Sequence, residues 1–465
     1  MSRVDRPRVR TGLLGAAILI ALLPAPARTA DVNEVPSGTI LGKENCQIAK
    51  GALPDEILQF YCRGDYENPI RKSANGKGLF DNPRLTEVSA KNEGKYDVND
   101  QGTVVDVATG TRPDFMVGFP FPKVDPNDPK AGAKLAWNYF YRVYWEGGFH
   151  TESPVNWISR ADGLQRRFNV DVHFKYYDGA PPEIQQRIKG NPLNLLSRTL
   201  GLVTEPADLN GIVSLNWRYR DADHKDNAWS YVPALRRVRA INPNNRADGL
   251  LGSDISEDDG PYFDGKPEEF NFKLVGQTTI LAHYDGPGLD SDGSNVHKLE
   301  PGAKVSTLVT IREPAWQVIS PKLRVIWSDA PGWQSEPKQL AAWAPVQYAL
   351  VPRKVWVVEA TPKDKYYIYG KQTLYLDQLN YNGYWKNKFD WKGEALNNYA
   401  IPGTMWFKVD GAPGYTKGGG GGNIAVALNY KGDRATVTGM PIAPVEYYVD
   451  IPDDIYEIDH LVRGK

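Results

Sequence analysis

The sequence predicts a mainly β protein built on a large antiparallel sheet with few helices. Composition is the first reason: 25 Tyr, 14 Phe and 13 Trp stand beside 44 Gly, 35 Pro and only 4 Met in 465 residues, a mixture suited to strands and turns. Secondly, several segments alternate apolar with polar side chains at period two, which describes strands with one packed and one solvated face. Thirdly, no strand–helix–strand rhythm appears, which argues against a parallel nucleotide-binding sheet.

Phe168–Tyr176 places Phe168, Val170, Val172, Phe174 and Tyr176 on one face and polar residues on the other. Val213–Arg220 repeats the pattern with Trp217 and Tyr219. A polar turn at Asp223–Asn227 then leads into Trp229-Ser230-Tyr231, its expected hairpin partner. Ile424–Tyr430 turns through Lys431-Gly432-Asp433 into Arg434–Thr438, and further strands are expected at Lys304–Arg312, Leu323–Ser328, Lys354–Ala360, Gln372–Leu379 and Met405–Val409. Three helices are expected. Asp55–Tyr61 follows Pro54, and Ala133–Trp145 carries Leu135, Tyr139 and Val143 at helical spacing. Glu183–Leu200 follows Pro181-Pro182 and is split near Gly190-Asn191-Pro192. Asp248–Pro267 and Asp285–Asn295 read as long polar loops, and Gly418–Gly422 as a flexible one.

The first residues carry the three parts of a secretory signal. Arg3, Arg6, Arg8 and Arg10 precede an apolar run, Leu13–Leu23, and then the small-residue segment Ala25-Pro26-Ala27. The run is about 11 residues long where a membrane-spanning helix needs ~20. Residues 1–30 are therefore expected to be cleaved, leaving 31–465 as one soluble domain; a retained anchor is the alternative. No cysteine stands at the cleavage site, so lipidation there is not expected. Residues 1–27 hold four Arg and Asp5, a net +3, so their removal takes the formal charge from −1 to about −4. That balance excludes the basic footprint of a nucleic-acid binder. In an oxidising compartment Cys46 and Cys62 read as one disulfide, the alternative being two buried thiols.

Catalytic signatures are missing. There is no G-x-S-x-G elbow, H-E-x-x-H or phosphate-binding G-x-x-x-x-G-K-[ST], so no catalytic residue, cofactor or metal ligand is assigned. The six histidines are scattered along the chain, and His173 reads as a solvated residue on a polar strand face. Asp290–Asn295 lacks the Gly and Glu of a calcium loop. The acids Asp254, Glu257, Asp258, Asp259 and Asp264 read as solvated loop charge. Arg236, Arg237 and Arg239 follow an aromatic strand; they suit anionic headgroups or an acidic partner, or else ion pairs to the nearby acidic loop.

Two blocks carry a resemblance. WSYVPALRRVR at 229–239, with GSDISEDDGPYFDG at 252–265, resembles the signature of the domain of unknown function 1329 family, often labelled outer-membrane lipoprotein-sorting-like; VWVVEATPKDKYYIYGKQTLYLDQLNYN at 355–382 fits its later strands. The likeness spans roughly 35–460, and Cys46 and Cys62 are not part of it. It implies a fold similar to the periplasmic carriers LolA and LolB: a large curved antiparallel sheet forming an incomplete barrel, with a few helices as a lid over the concave side. It implies a periplasmic location, no catalytic residues, and partners in a resistance-nodulation-division type exporter and an outer-membrane protein.

A curved sheet too wide to fill leaves an apolar hollow, and such hollows are the usual ligand sites. Moving a C16 chain out of water is worth on the order of 12 kcal/mol at ~0.8 kcal/mol per CH₂, so lipid crosses an aqueous space only with an escort. The residues expected to line the hollow are Phe168, Val170, Val172, Phe174, Trp217, Tyr219, Trp229 and Tyr231. A filled core would need the same pattern. The function expected is a carrier or chaperone for a lipid or other hydrophobic molecule. The alternatives are a secreted hydrolase acting on lipid or envelope polymer, and a non-transporting subunit of an envelope complex.

Overall fold

The computed structural model describes residues 31–72, 83–182, 190–285, 306–308, 341–345, 348–402, 404–406, 419–421, 424–438, 445–447 and 451–463. Thirteen strands form the main path of one antiparallel sheet: β1 (Gly148–Ser159), β2 (Gly163–Tyr176), β3 (Leu195–Glu205), β4 (Val213–Tyr219), β5 (Asn227–Val232), β6 (Arg237–Ile241), β7 (Phe270–Asp285), β8 (Tyr348–Pro362), β9 (Lys371–Asp377), β10 (Gly383–Phe389), β11 (Ala395–Ala400), β12 (Val426–Asn429) and β13 (Arg434–Thr438). Their spatial order is 6-5-4-3-2-1-13-12-11-10-9-8-7. Two meanders are thus joined where β1 pairs with β13. Within each meander neighbouring strands of this path follow one another in chain order, the usual way for strands to meet, although long segments separate β7 from β8 and β11 from β12. The sheet does not close into a barrel: β6 and β7 end the order. Register shifts interrupt six of its ladders, and each such irregularity bends and twists its strand.

Over β1–β5 and β10–β13 both faces are largely covered, so alternation there separates two buried sets rather than core from solvent, whereas β7 exposes Asn271, Lys273, Val275 and Gln277 along one face. On the inner face lies α3 (Ala131–Tyr144), which among the described residues follows α1 (Asp55–Arg63) and α2 (Pro83–Ala90) and precedes α4 (Ile458–Arg463). Its Leu135, Tyr139 and Val143 are buried, and so are Trp137, Phe140, Tyr141 and Tyr144, as in a helix enclosed on all sides. A Cβ on Gly132 would lie 2.7 Å from the backbone of Phe272 and Leu274, so the missing side chain is what lets α3 touch β7. On the outer face, α1 and the chain around it pack against β7, β8, β12 and β13. The 451–463 segment covers β3–β5. α1 starts after Pro54 with Asp55 and Glu56 in its first turn and Arg63 in its last, charges that suit the helix dipole. Cys62 on α1 is bonded to Cys46, Cα–Cα 5.2 Å.

The chain between β6 and β7 starts at one end of the sheet order and finishes at the other. This strap, residues 242–269, contains Asp248–Pro267, expected to be a long polar loop whose acids are solvated, and its position corrects that reading. Asp258 and Asp259 are buried. Asp259 sits 2.6 Å from both Lys386 and Lys388 of β10. Arg246 reaches Asp258 at 2.8 Å, Asp264 at 2.8 Å and Asp226 at 3.2 Å, while Arg218 of β4 holds Asp226 and Asp264 at 2.9 Å each. Near its middle, Asp254 pairs with Arg434 of β13 at 2.9 Å. Tyr262 hydrogen-bonds the Trp385 carbonyl and lies where a Cβ on Gly383 would be, 2.1 Å from its ring. Removing one member of a buried charged set costs about 3–5 kcal/mol, so the strap is pinned along its length.

A second correction concerns Glu183–Leu200. Residues 183–189 lie outside the described residues, and Leu195–Leu200 is the start of β3, not a helix. The Asn191 side chain bonds both the N–H and the carbonyl of Leu195, and ladders to β2 and β4 then take the remaining backbone groups. Tertiary pairing here overrides the helical pattern. The export segment, Leu323–Ser328 and residues 286–295 lie outside the described residues. Lys304–Arg312 and Met405–Val409 are described only at 306–308 and 405–406, all strand, and Gly419–Gly421 pairs with Thr404–Trp406.

Candidate functional site

The inner face of β1–β6 carries a cavity of about 550 Å³. Its floor follows from residue size in register. Thr151 of β1 faces Val172 of β2, which faces Gly201 of β3, then Ser214 of β4 and Ser230 of β5, and all five line the cavity. No residue of this row is larger than valine and three of the five are Gly or Ser, which leaves a trough that neighbouring rows do not fill. A Cβ built on Gly201 meets only Ser214 Oγ at 3.2 Å and a Val170 methyl at 3.9 Å. Phe149 and Phe174, stacked with centroids 4.5 Å apart, stand on one side of this row, and Val155, Val170 and Val203 on the other. Val143 of α3 and Leu250, Leu251 and Ile255 of the strap complete the apolar walls.

One part of the lining is polar. Arg142, Glu146, Asn216, Arg246, Glu257 and Asp264 reach the cavity there. Asn216 Nδ2 donates to Glu257 at 2.7 Å, while Asn216 Oδ1 is buried without a hydrogen-bond partner among the described residues. Burial pushes the Glu257 carboxyl above its ordinary range, against the pull of Arg246 and Asn216. Leu251 holds a left-handed backbone, φ 51°, uncommon for a bulky residue and of the kind found at ligand clamps.

The residues expected to line a hollow divide between the two faces. Val170, Val172 and Phe174 line the cavity. Phe168 shares their face and is fully buried beside Val155, Val170 and Val203. Trp217, Tyr219, Trp229 and Tyr231 lie on the outer face instead, packed with Ile451, Tyr456 and Leu461. Trp217 Nε1 donates to the Tyr456 carbonyl at 2.9 Å. Their strands present Ser214, Asn216 and Ser230 inward. Arg237 and Arg239 are exposed on edge strand β6, with Arg236 in the turn before it, and it is Arg246 that engages the acidic strap. Charged side chains on a free edge disfavour unwanted strand pairing.

One grouping was invisible in the linear sequence. His150 of β1 lies directly opposite His173 of β2, and Asp171 is two residues away on the same face. Their ligand atoms lie within 4.8 Å of one another.

The site is thus an open antiparallel sheet, strapped across its inner face and hollow beneath the strap. The chain belongs to the family described as Protein of unknown function (DUF1329), whose model matches residues 43–404. No curated protein matches. Among solved structures the chain is similar to a domain named for outer membrane lipoprotein sorting from Vibrio parahaemolyticus (14% identity, 72% of this chain and 100% of that one, TM-score 0.45). It is also similar to a DUF1329 family protein from Desulfovibrio piger (16% identity, 73% and 100%, TM-score 0.45) and a LolA superfamily protein from Nitrosomonas europaea (12% identity, 69% and 96%, TM-score 0.38).

Proposed function

We propose that the protein is a periplasmic carrier that holds one lipid or other small hydrophobic molecule in the inner-face cavity and performs no covalent chemistry on it. The observation that carries this reading is the row Thr151–Val172–Gly201–Ser214–Ser230: residues no larger than valine, in register over a floor that longer or aromatic side chains would otherwise fill. At about 550 Å³ the cavity falls in the range of single small-ligand sites, ~300–1,000 Å³. The valines and phenylalanines suit an apolar body, and Asn216 with Glu257 suits a polar end that donates hydrogen bonds. The same proposal includes cleavage of residues 1–30 and delivery between a resistance-nodulation-division type exporter and an outer-membrane protein.

The test is a titration of delipidated, untagged mature protein with a fluorescent apolar probe such as N-phenyl-1-naphthylamine. One saturable site, displaced by long-chain amphiphiles, is expected. Absence of saturable binding, or a probe that no amphiphile displaces, would rule the carrier reading out.

A further inference from the structure

We propose that His150, Asp171 and His173 form a binding site for one divalent transition-metal ion, of the zinc, nickel or copper class, on the outer face of β1 and β2. The site lies on the face opposite the cavity and does not depend on what the cavity holds.

The sheet itself assembles the donors. Directly opposed residues on antiparallel strands project to the same side with Cβ atoms about 4.5–5.5 Å apart, which brings His150 and His173 together. A residue two positions along a strand shares that side, which adds Asp171. The two imidazoles lie almost parallel, centroids 4.2 Å apart at an interplanar angle of 8°. Both rings turn Nε2 toward the same carboxylate: His150 Nε2 is 2.5 Å from Asp171 Oδ1 and His173 Nε2 is 3.4 Å from Oδ2. Ligands bound at about 2.0–2.1 Å around one small ion sit roughly 3–3.5 Å from each other. The His173–Asp171 spacing already meets that; the His150–Asp171 contact opens by less than about 1 Å, and the two stacked rings tilt toward each other so that both in-plane nitrogen lone pairs meet at one ion.

Two imidazoles and a carboxylate form a donor set suited to zinc, nickel and copper, whereas calcium and magnesium call for oxygen ligands. Side-chain exposures of 20–28% leave coordination positions open to water, as in three-ligand sites. Glu446 stands opposite His150 on the adjoining strand, and two further charged neighbours are engaged elsewhere. Lys175, two residues beyond His173, is drawn to Asp453 at 2.8 Å and the Ile451 carbonyl at 2.8 Å. Glu152 accepts a hydrogen bond from Thr204 at 2.9 Å. The donors also sit on paired strands, which limits the rearrangement that binding requires.

The experiment uses the untagged mature chain, stripped with chelator and titrated with Zn²⁺ alone by calorimetry and with Co²⁺ alone by visible absorption. One equivalent is expected to bind. Asp171→Asn and His173→Gln should each weaken binding at least tenfold, while His224→Gln, remote from the site, should not. A readout that needs no variant is NMR of the histidine-labelled wild type, in which two of the six imidazoles (assigned by His→Gln substitution) should respond to Zn²⁺. No stoichiometric binding, unaltered affinity in folded Asp171 and His173 variants, or a response confined to other histidines would overturn the proposal.

Discussion

Gly201→Phe separates ligand binding from folding. The Gly201 position opens onto the trough, where an added Cβ meets Ser214 Oγ at 3.2 Å and the next atom only at 3.9 Å. A phenyl group there displaces at least about four methylenes of a bound chain. At ~0.8 kcal/mol per CH₂ this removes ~3 kcal/mol of binding, a loss of affinity of about 150-fold at 1.4 kcal/mol per tenfold. Folding should respond in the other direction. The phenyl fills space that is already empty, and replacing a strand-interior glycine reduces the entropy lost on folding. The Ser214 hydroxyl gives way by rotating. Probe titration and urea unfolding of the same preparation check both halves. A variant that unfolds more easily yet binds the probe as before would refute the claim that this floor is hollow.

Other perturbations have distinct signatures. Trp217→Ala should destabilise the protein by about 3–5 kcal/mol in urea unfolding and leave probe affinity within twofold, because Trp217 packs under the C-terminal segment on the outer face. Asp259→Asn strands two buried lysines and should cost about 3–5 kcal/mol. Burial alone would raise the Asp259 carboxyl, but Lys386 and Lys388 pull it down to about 2. Its contribution, about 2 kcal/mol, is therefore present above pH ~4 and fades as pH falls toward 2. The Asp259→Asn variant should lose that dependence in acid titrations of unfolding. Replacing both Cys46 and Cys62 with Ser opens a loop of separation 16 and should lower stability by about 3 kcal/mol on the loop-entropy model, as read from denaturation curves.

Periodicity located strands well and faces poorly. The alternation in 168–176 and 213–220 marks β2 and β4 within a few residues, since a strand must project successive side chains to opposite sides. It does not say which side encloses the cavity when both are covered. On β4 and β5 the tryptophans pack outward beneath Ile451, Tyr456 and Leu461, which are more than 200 residues distant in sequence. The small residues Ser214 and Ser230, which resemble a solvated edge, form the floor. One Gly or Ser at matching register on each of three successive strands, Gly201, Ser214 and Ser230, was the available signal. The strap was misread for a related reason: its acids look solvated until Arg246, Lys386 and Lys388 are brought to them. His150 and His173 are likewise 23 positions apart in sequence and meet only through the β1–β2 register.

The central claim is an occupied inner-face cavity, and native mass spectrometry of wild-type and Gly201→Phe protein purified side by side from the periplasm tests it most directly. The account predicts one small hydrophobic molecule retained per wild-type chain and lost from the variant. A wild-type protein that is always empty, or a ligand held equally by both, would contradict it.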